Sequence, residues 1–176
     1  MDVSVIGGGP AGILAAYFSA KGGAETVLFE KKDRIQDNGC AGGINDKILK
    51  RLNIPEGDWI LNKVNNIEMN LDWDKKYLIR LKNHTALIIN KTRFLEWLAY
   101  KAEEKGVEIN LGMEVTDLQK FSSKVIIDAR GINPELDKHD IAVCSQYVIK
   151  DPNIENDIIR LWIGWEVAPT GYGWIF

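Results

Sequence analysis

A valine-rich apolar run, Val3-Ser4-Val5-Ile6, meets Gly7-Gly8-Gly9-Pro10-Ala11-Gly12, and Val27-Leu28-Phe29-Glu30 follows. A short run of this kind reads as a buried parallel strand. Gly7, Gly9 and Gly12 stand at G-x-G-x-x-G. The first glycine permits a tight turn, the second lets backbone approach a pyrophosphate, and the third lets helix and strand pack closely. Ala11, Leu14, Ala15 and Phe18 recur at helical spacing, which predicts a helix over 10–21 stopped by Gly22-Gly23. Thr26–Phe29 predicts a second strand. Glu30 closes it near the interval of about 20 residues at which an acid bonds a ribose hydroxyl. Strand, glycine turn, helix and acid-tipped strand together hold a dinucleotide by its phosphates at the helix N-terminus. An acid at Glu30 favours a free ribose 2′-OH over a 2′-phosphate.

The rest of the composition narrows the class. The chain has 176 residues, enough for one domain or part of a two-domain enzyme. Its net charge of -3 and lack of a basic block give no footprint for nucleic acid. No apolar run reaches about 18 residues, so no membrane span is expected. The start, Met1-Asp2-Val3, lacks a basic segment ahead of an apolar one, so a cytoplasmic address without a secretory signal is expected. Cys40 and Cys144 form no disulfide framework and read as small buried hydrophobes. With His84 and His139 they show no zinc-type spacing, so no metal is expected.

Further along, residues 31–43 form a polar loop ending in Gly39-Cys40-Ala41-Gly42-Gly43, where glycines suit close approach to a flat ligand. Residues 44–52 predict a short amphipathic helix, and Pro55–Asp58 a turn. The period then shifts toward two. Val64–Leu71, Tyr77–Leu81 and Thr85–Ile89 predict antiparallel strands, with turns at Asp72–Lys76 and Lys82–His84. Trp59, Trp73 and Tyr77 read as packing residues. A helix is expected over 91–105, ended by Gly106. Strands are expected over Val107–Leu111, Met113–Leu118 and Val125–Asp128, the last opening a loop at Ala129-Arg130-Gly131 beside the dinucleotide. After a polar loop over Pro134–Asp140, Ala142–Ile149 and Ile158–Glu166 predict more strands of the antiparallel sheet. The chain stops inside an aromatic strand, Tyr172–Phe176.

Taken together, Gly7–Gly12 with Glu30, Cys40-Ala41-Gly42-Gly43, Asn90-Lys91-Thr92-Arg93-Phe94, Ile127–Gly131 and Gly171-Tyr172-Gly173-Trp174-Ile175-Phe176 resemble the geranylgeranyl reductases. That family includes the archaeal digeranylgeranylglycerophospholipid reductases and belongs to the flavoproteins related to p-hydroxybenzoate hydroxylase. The glycine turn is shared by many FAD and NAD proteins. The cysteine–glycine loop and the closing Tyr-x-Trp-x-Phe are more specific to the reductases.

The resemblance implies FAD as cofactor and an α/β fold. A Rossmann-like FAD-binding domain (residues 1–58 and 90–140) would carry an inserted antiparallel β-sheet substrate domain (59–89 and 141–176), truncated. It implies that Gly7, Gly9, Pro10, Ala11 and Gly12 face the pyrophosphate, and that Glu30, with Lys31 beside it, faces the adenosine ribose. It further places Cys40, Ala41 and Gly43 near the flavin end, includes Lys91 and Arg93 in the cofactor set, and has Val115 offering backbone to the adenine. Tyr172 and Trp174 would wall the substrate cavity. The implied reaction adds a hydride and a proton across isolated C=C bonds of isoprenoid lipid chains, with Cys40 a candidate at the reacting centre. A ferredoxin or a nicotinamide would supply electrons, and the lipid would bring the protein to the membrane surface as a peripheral partner.

There are departures. Lys91 stands where the family has arginine, Leu95 where it has aspartate, and Arg130 where relatives have aspartate or threonine. The second FAD motif, a Gly-Asp expected after the Tyr-x-Trp-x-Phe strand, is not reached. The chain thus reads as the N-terminal half of such an enzyme, inactive and weakly FAD-binding alone, or as a subunit needing a complementary C-terminal chain, or as a remnant. Rival readings are a monooxygenase on the same scaffold and an NAD dehydrogenase. The antiparallel stretch after Val64 opposes the latter.

Overall fold

A computed structural model describes residues 1–36, 39–83, 85–132 and 143–176. His84, His139 and the loop expected over Pro134–Asp140 lie outside the described residues, as do the ends of the turn at Lys82–His84 and of the strand starting at Ala142. In chain order the elements begin β1 (Val3–Ile6), α1 (Pro10–Lys21), β2 (Thr26–Phe29), β3 (Gly43–Asn45) and α2 (Asp46–Leu52). Next come β4 (Ile60–Val64), β5 (Asn66–Leu71), β6 (Lys75–Arg80), β7 (Ala86–Ile89) and α3 (Lys91–Glu103). The chain closes with β8 (Glu108–Asn110), β9 (Val125–Asp128), β10 (Ile158–Ile163) and β11 (Gly173–Ile175). Two compact units result: residues 1–38 with 91–140, and residues 39–90 with 141–176.

The first unit is a four-stranded parallel sheet in the order β8-β2-β1-β9. All four residues of β1 are buried, as a central parallel strand requires. α1 lies against β1, β2 and β9, and α3 packs beside it. Ile13 and Ala16 of α1 meet the sheet core of Val5 and Leu28, while α3 buries Phe94, Leu95, Leu98, Ala99 and Ala102. In α3 these are the apolar positions that the helical spacing selects, whereas α1 buries Gly12, Ile13 and Ala16 and leaves Ala11 and Phe18, selected by the same spacing, exposed. The α/β fold expected from the glycine turn is therefore present.

The second unit holds two sheets rather than one. A small antiparallel sheet runs β3-β7-β4, and a mixed sheet runs β11-β10-β5-β6. The stretch expected as one strand over Val64–Leu71 breaks at Asn65, where the chain leaves one sheet for the other. β10 pairs parallel to β5, not antiparallel. Residues 39–58, expected in the cofactor domain, lie in the second unit. The reason is pairing: Gly43, Ile44 and Asn45 join β7, so the helix begins only at Asp46, with the Asn45 side chain accepting from the Lys47 N–H at 2.9 Å.

Other expectations also change. Met113–Leu118 forms no strand. The Gly112 and Met113 N–H groups bond instead to the carbonyls of Lys32 and Glu30, and a 3-10 turn follows at Leu118–Lys120. Residues 143–149 are exposed and join no strand among the described residues. β10 ends at Ile163 because the chain turns at Gly164. Trp59 is fully buried, as a packing residue should be, whereas Trp73 and Tyr77 are exposed. Trp73 sits with Asp72 at positive φ in the β5–β6 turn, which points it off the sheet. Cys40 and Cys144 are exposed rather than buried.

Candidate functional site

The glycine turn leaves the carboxyl end of β1 and enters α1. Gly7 adopts φ +111, and a Cβ there would strike the Ala129 carbonyl at the end of β9. A Cβ at Gly12 would overlap the Gly7 carbonyl. Both positions thus require glycine so that helix and strands can close together. At Gly9 the situation is the opposite: nothing lies within 4 Å of where a Cβ would stand. Pro10 fills the first helical position, where its missing N–H is no loss. The first turn carries no acid and no side-chain cap, so its N–H groups and the positive end of the helix dipole open onto the space beside Gly9. That is a cradle for an anionic phosphate, and it fits a dinucleotide.

Glu30 stands at the rim. One of its oxygens accepts from the Gly8 N–H at 2.5 Å and the other from the Lys32 N–H at 3.0 Å. The carboxylate therefore fastens the turn to β2, and its remaining lone pairs are those available to a ribose. Lys31 beside it is exposed.

Past β9, Arg130 does something the sequence reading missed. Its guanidinium holds Asp128 through two hydrogen bonds, at 2.8 and 2.7 Å, and reaches the Val115 carbonyl at 3.3 Å. These bonds hold the Asp128 carboxyl below its ordinary range, against a smaller opposing effect of burial. Arg130 thus pins the 112–117 segment to the end of β9 and occupies the Val115 carbonyl. The visible signal was Asp-x-Arg at a strand end. Lys91 and Arg93 open α3 in the same unit, Lys91 half-buried and Arg93 exposed.

In the second unit, Cys40 is exposed and its carbonyl accepts from the Gln146 amide at 3.4 Å. Ala41 follows, then Gly42, whose carbonyl accepts from the Ile89 N–H at 2.9 Å. Gly43 begins β3, and the Phe176 ring lies where its Cβ would be. The cysteine–glycine loop and the closing aromatic strand, far apart in sequence, therefore meet. From β11 a row runs across the mixed sheet: Trp174, Leu161, Met69 and Tyr77 are register partners on one face. Ile159, Ile67 and Ile79 form the next row of that face. The Tyr172 ring sits 5.8 Å from that of Trp174. The opposite face mixes charged and polar residues with Trp162, Leu78 and Ile175. Glu68 there bonds Lys76 at 3.1 Å and faces Arg160 at 3.5 Å. Burial raises the Glu68 pKa, but these cations and the Asn70 amide bring it net below the ordinary value.

Among the described residues, no group of three or more His, Cys, Asp or Glu side chains could hold a metal ion. No helix among them is long and apolar enough to cross a membrane.

Two overlapping family matches cover the chain, and they do not follow its division into units. Residues 1–149 match the family described as FAD binding domain, and residues 140–176 match the geranylgeranyl reductase catalytic domain. The chain is 29% identical to the digeranylgeranylglycerophospholipid reductase of Methanothrix thermoacetophila, over 99% of this chain and 53% of that protein. It is 28% identical to that of Methanosarcina acetivorans, over 99% and 51%. The chain spans about half the length of the curated relatives it matches. A solved geranylgeranyl bacteriochlorophyll reductase-like protein from Thermoplasma acidophilum shares the fold with a TM-score of 0.82 at 22% identity, over 99% of this chain and 53% of its own. A flavin-dependent brominase variant shares it with a TM-score of 0.67 at 22% identity, over 91% and 50%.

Proposed function

Because the chain belongs to the FAD-binding domain family, we propose that its glycine turn holds the ADP moiety of FAD, and that the complete protein reduces isolated C=C bonds in geranylgeranyl chains of isoprenoid lipids. The observation that carries the reading is the meeting of the Cys40–Gly43 loop with the Phe176 end of the aromatic strand, beside an apolar sheet face. Residues 1–58 and 90–140 were the expected cofactor domain. Moving 39–58 to the second unit leaves the cradle intact and puts the cysteine–glycine loop with the substrate sheet.

Each residue then has a defined task. The N–H groups of the first turn of α1, around Ala11 and Gly12, bind the pyrophosphate, with Gly7, Gly9 and Pro10 keeping the approach open. Glu30 accepts from the ribose while still holding the Gly8 N–H, and Lys31 adds positive charge outside it. Val115 offers the adenine its N–H, since its carbonyl accepts from Arg130. Lys91 and Arg93 supply cationic charge to the cofactor. Cys40, Ala41 and Gly43 lie along the flavin end, and the Cys40 thiol is the proposed proton source. The chemistry supplied by FAD, when bound and reduced, is hydride donation. Trp174, Tyr172 and the apolar row orient an isoprenoid chain and exclude water. The electron donor is a reduced ferredoxin or a nicotinamide. The protein works in the cytoplasm at the membrane surface, where the lipid lies. The remaining half of the relatives' length is supplied on the same polypeptide or by a complementary C-terminal chain.

The test is a turnover assay on FAD-loaded, dithionite-reduced protein together with that remaining segment, given a geranylgeranyl glycerophospholipid. Mass spectrometry should find saturated chains, and Trp174→Ala should slow saturation by about tenfold or more. Hydroxylation of an aromatic driven by NADPH, with no saturation of the lipid, would contradict the reading.

A further inference from the structure

A cavity of about 700 Å³ opens in the second unit, away from the apolar sheet face. Its lining includes Asp46, Lys50, Asn65, Arg80, Lys82 and Asn83. The one acid among the described lining residues, Asp46, is already engaged. Asp46 receives Lys50 Nζ at 2.6 Å on one oxygen and the Thr85 N–H at 3.0 Å on the other. This buried carboxylate fixes the position of Lys50 and neutralises it. Arg80 and Lys82 are different: among the described residues neither forms an ion pair. Arg80 ends β6, and Lys82 follows in the turn just after it. The cavity therefore presents a guanidinium fork and an ammonium beside the Asp46–Lys50 pair, with Asn83 also in its lining. Among the described residues that line it, none is Phe, Tyr or Trp.

We propose that this cavity is a phosphate-binding subsite for a phosphoester-bearing ligand. Guanidinium and ammonium groups around a wet cavity match a phosphate's oxygens in charge and in hydrogen-bond geometry. The source is either the headgroup of a phospholipid or a soluble phosphoester. The first source deepens the lipid reading and rests on it; the second does not.

The experiment is a titration of the 176-residue protein, followed by amide NMR at constant ionic strength, with inorganic phosphate, glycerol phosphate and chloride as probes. A parallel sedimentation assay uses phosphatidylglycerol vesicles and vesicles of a neutral, phosphate-free galactolipid. Saturable shifts centred on residues 46–50 and 80–85 with glycerol phosphate are expected, and Arg80→Gln with Lys82→Gln should weaken them about tenfold. Both side chains are exposed, so the double variant should keep the native spectrum. Vesicle binding that requires phosphatidylglycerol and falls in the double variant assigns a lipid headgroup. Shifts with glycerol phosphate but no vesicle binding assign a soluble phosphoester. Shifts as large with chloride, or binding unchanged in the double variant, overturn the site. FAD titration of the same samples keeps the two readings apart, because the double variant should bind FAD as the parent does.

Discussion

At the scale of single residues, two side chains do more than the sequence suggests. Glu30, proposed to meet a ribose, fastens the glycine turn to β2 through the Gly8 and Lys32 N–H groups. Glu30→Gln must turn an NH2 toward one of two N–H donors. The exchange should cost about 1–3 kcal/mol of stability, read by urea unfolding, besides weakening FAD. A variant as stable as the parent would show that these bonds do not hold the turn. Asp128 gives a pH signature. Its pKa is lowered in the folded protein, first by the hydrogen bonds from Arg130. A lowered folded pKa stabilises above the ordinary aspartate value of about 3.9, and that contribution fades as pH falls through the folded pKa. The protein should therefore be more stable than Asp128→Asn at neutral pH, and the gap should close below about pH 4. A gap that widens on acidification would contradict the Arg130 clamp.

At the scale of elements, the mixed sheet divides into rows whose burial falls toward its edge. Ile159 and Ile79 share one row, yet Ile159 is 5% exposed and Ile79 40%. Ile159→Ala should cost about 2–4 kcal/mol and Ile79→Ala under about 1 kcal/mol. Equal losses in urea unfolding would mean that the edge is covered in solution. This sheet also marks the limit of what sequence can tell. β1, α1, β2 and α3 were legible as elements from glycine spacing and helical periodicity, although in α1 the buried face is Gly12, Ile13 and Ala16 rather than that of Ala11, Leu14, Ala15 and Phe18. Alternation in Ile158–Ile163 reported a strand but not its direction, so parallel pairing with β5 was not visible. The segment 143–149 has strand-forming residues but joins no strand among the described residues. Met113–Leu118 lost its strand to bonds made by the backbone of β2's end, a contact no local pattern encodes. At the candidate site, the turn and Glu30 could be read locally. The Arg130 clamp and the meeting of Gly43 with Phe176 depend on long-range contacts.

At the scale of the whole molecule, one unit holds a dinucleotide cradle, and the other holds an apolar sheet face and a glycine loop. The FAD-binding match runs over residues 1–149, through the cradle's unit and into the other, while the reductase match covers residues 140–176. The claim beneath all the others is that the cradle takes FAD by its phosphates. The most direct measurement is a fluorescence titration of the chain with FAD, with NAD as competitor and Gly12→Val as the altered cradle. A valine there strikes the Gly7 carbonyl, and such overpacking costs about 1–3 kcal/mol, enough to lower affinity about tenfold or more. The account predicts saturable FAD binding that NAD does not displace and that Gly12→Val weakens by that factor. Displacement by NAD as effective as by FAD itself, or undiminished binding in Gly12→Val, would contradict it.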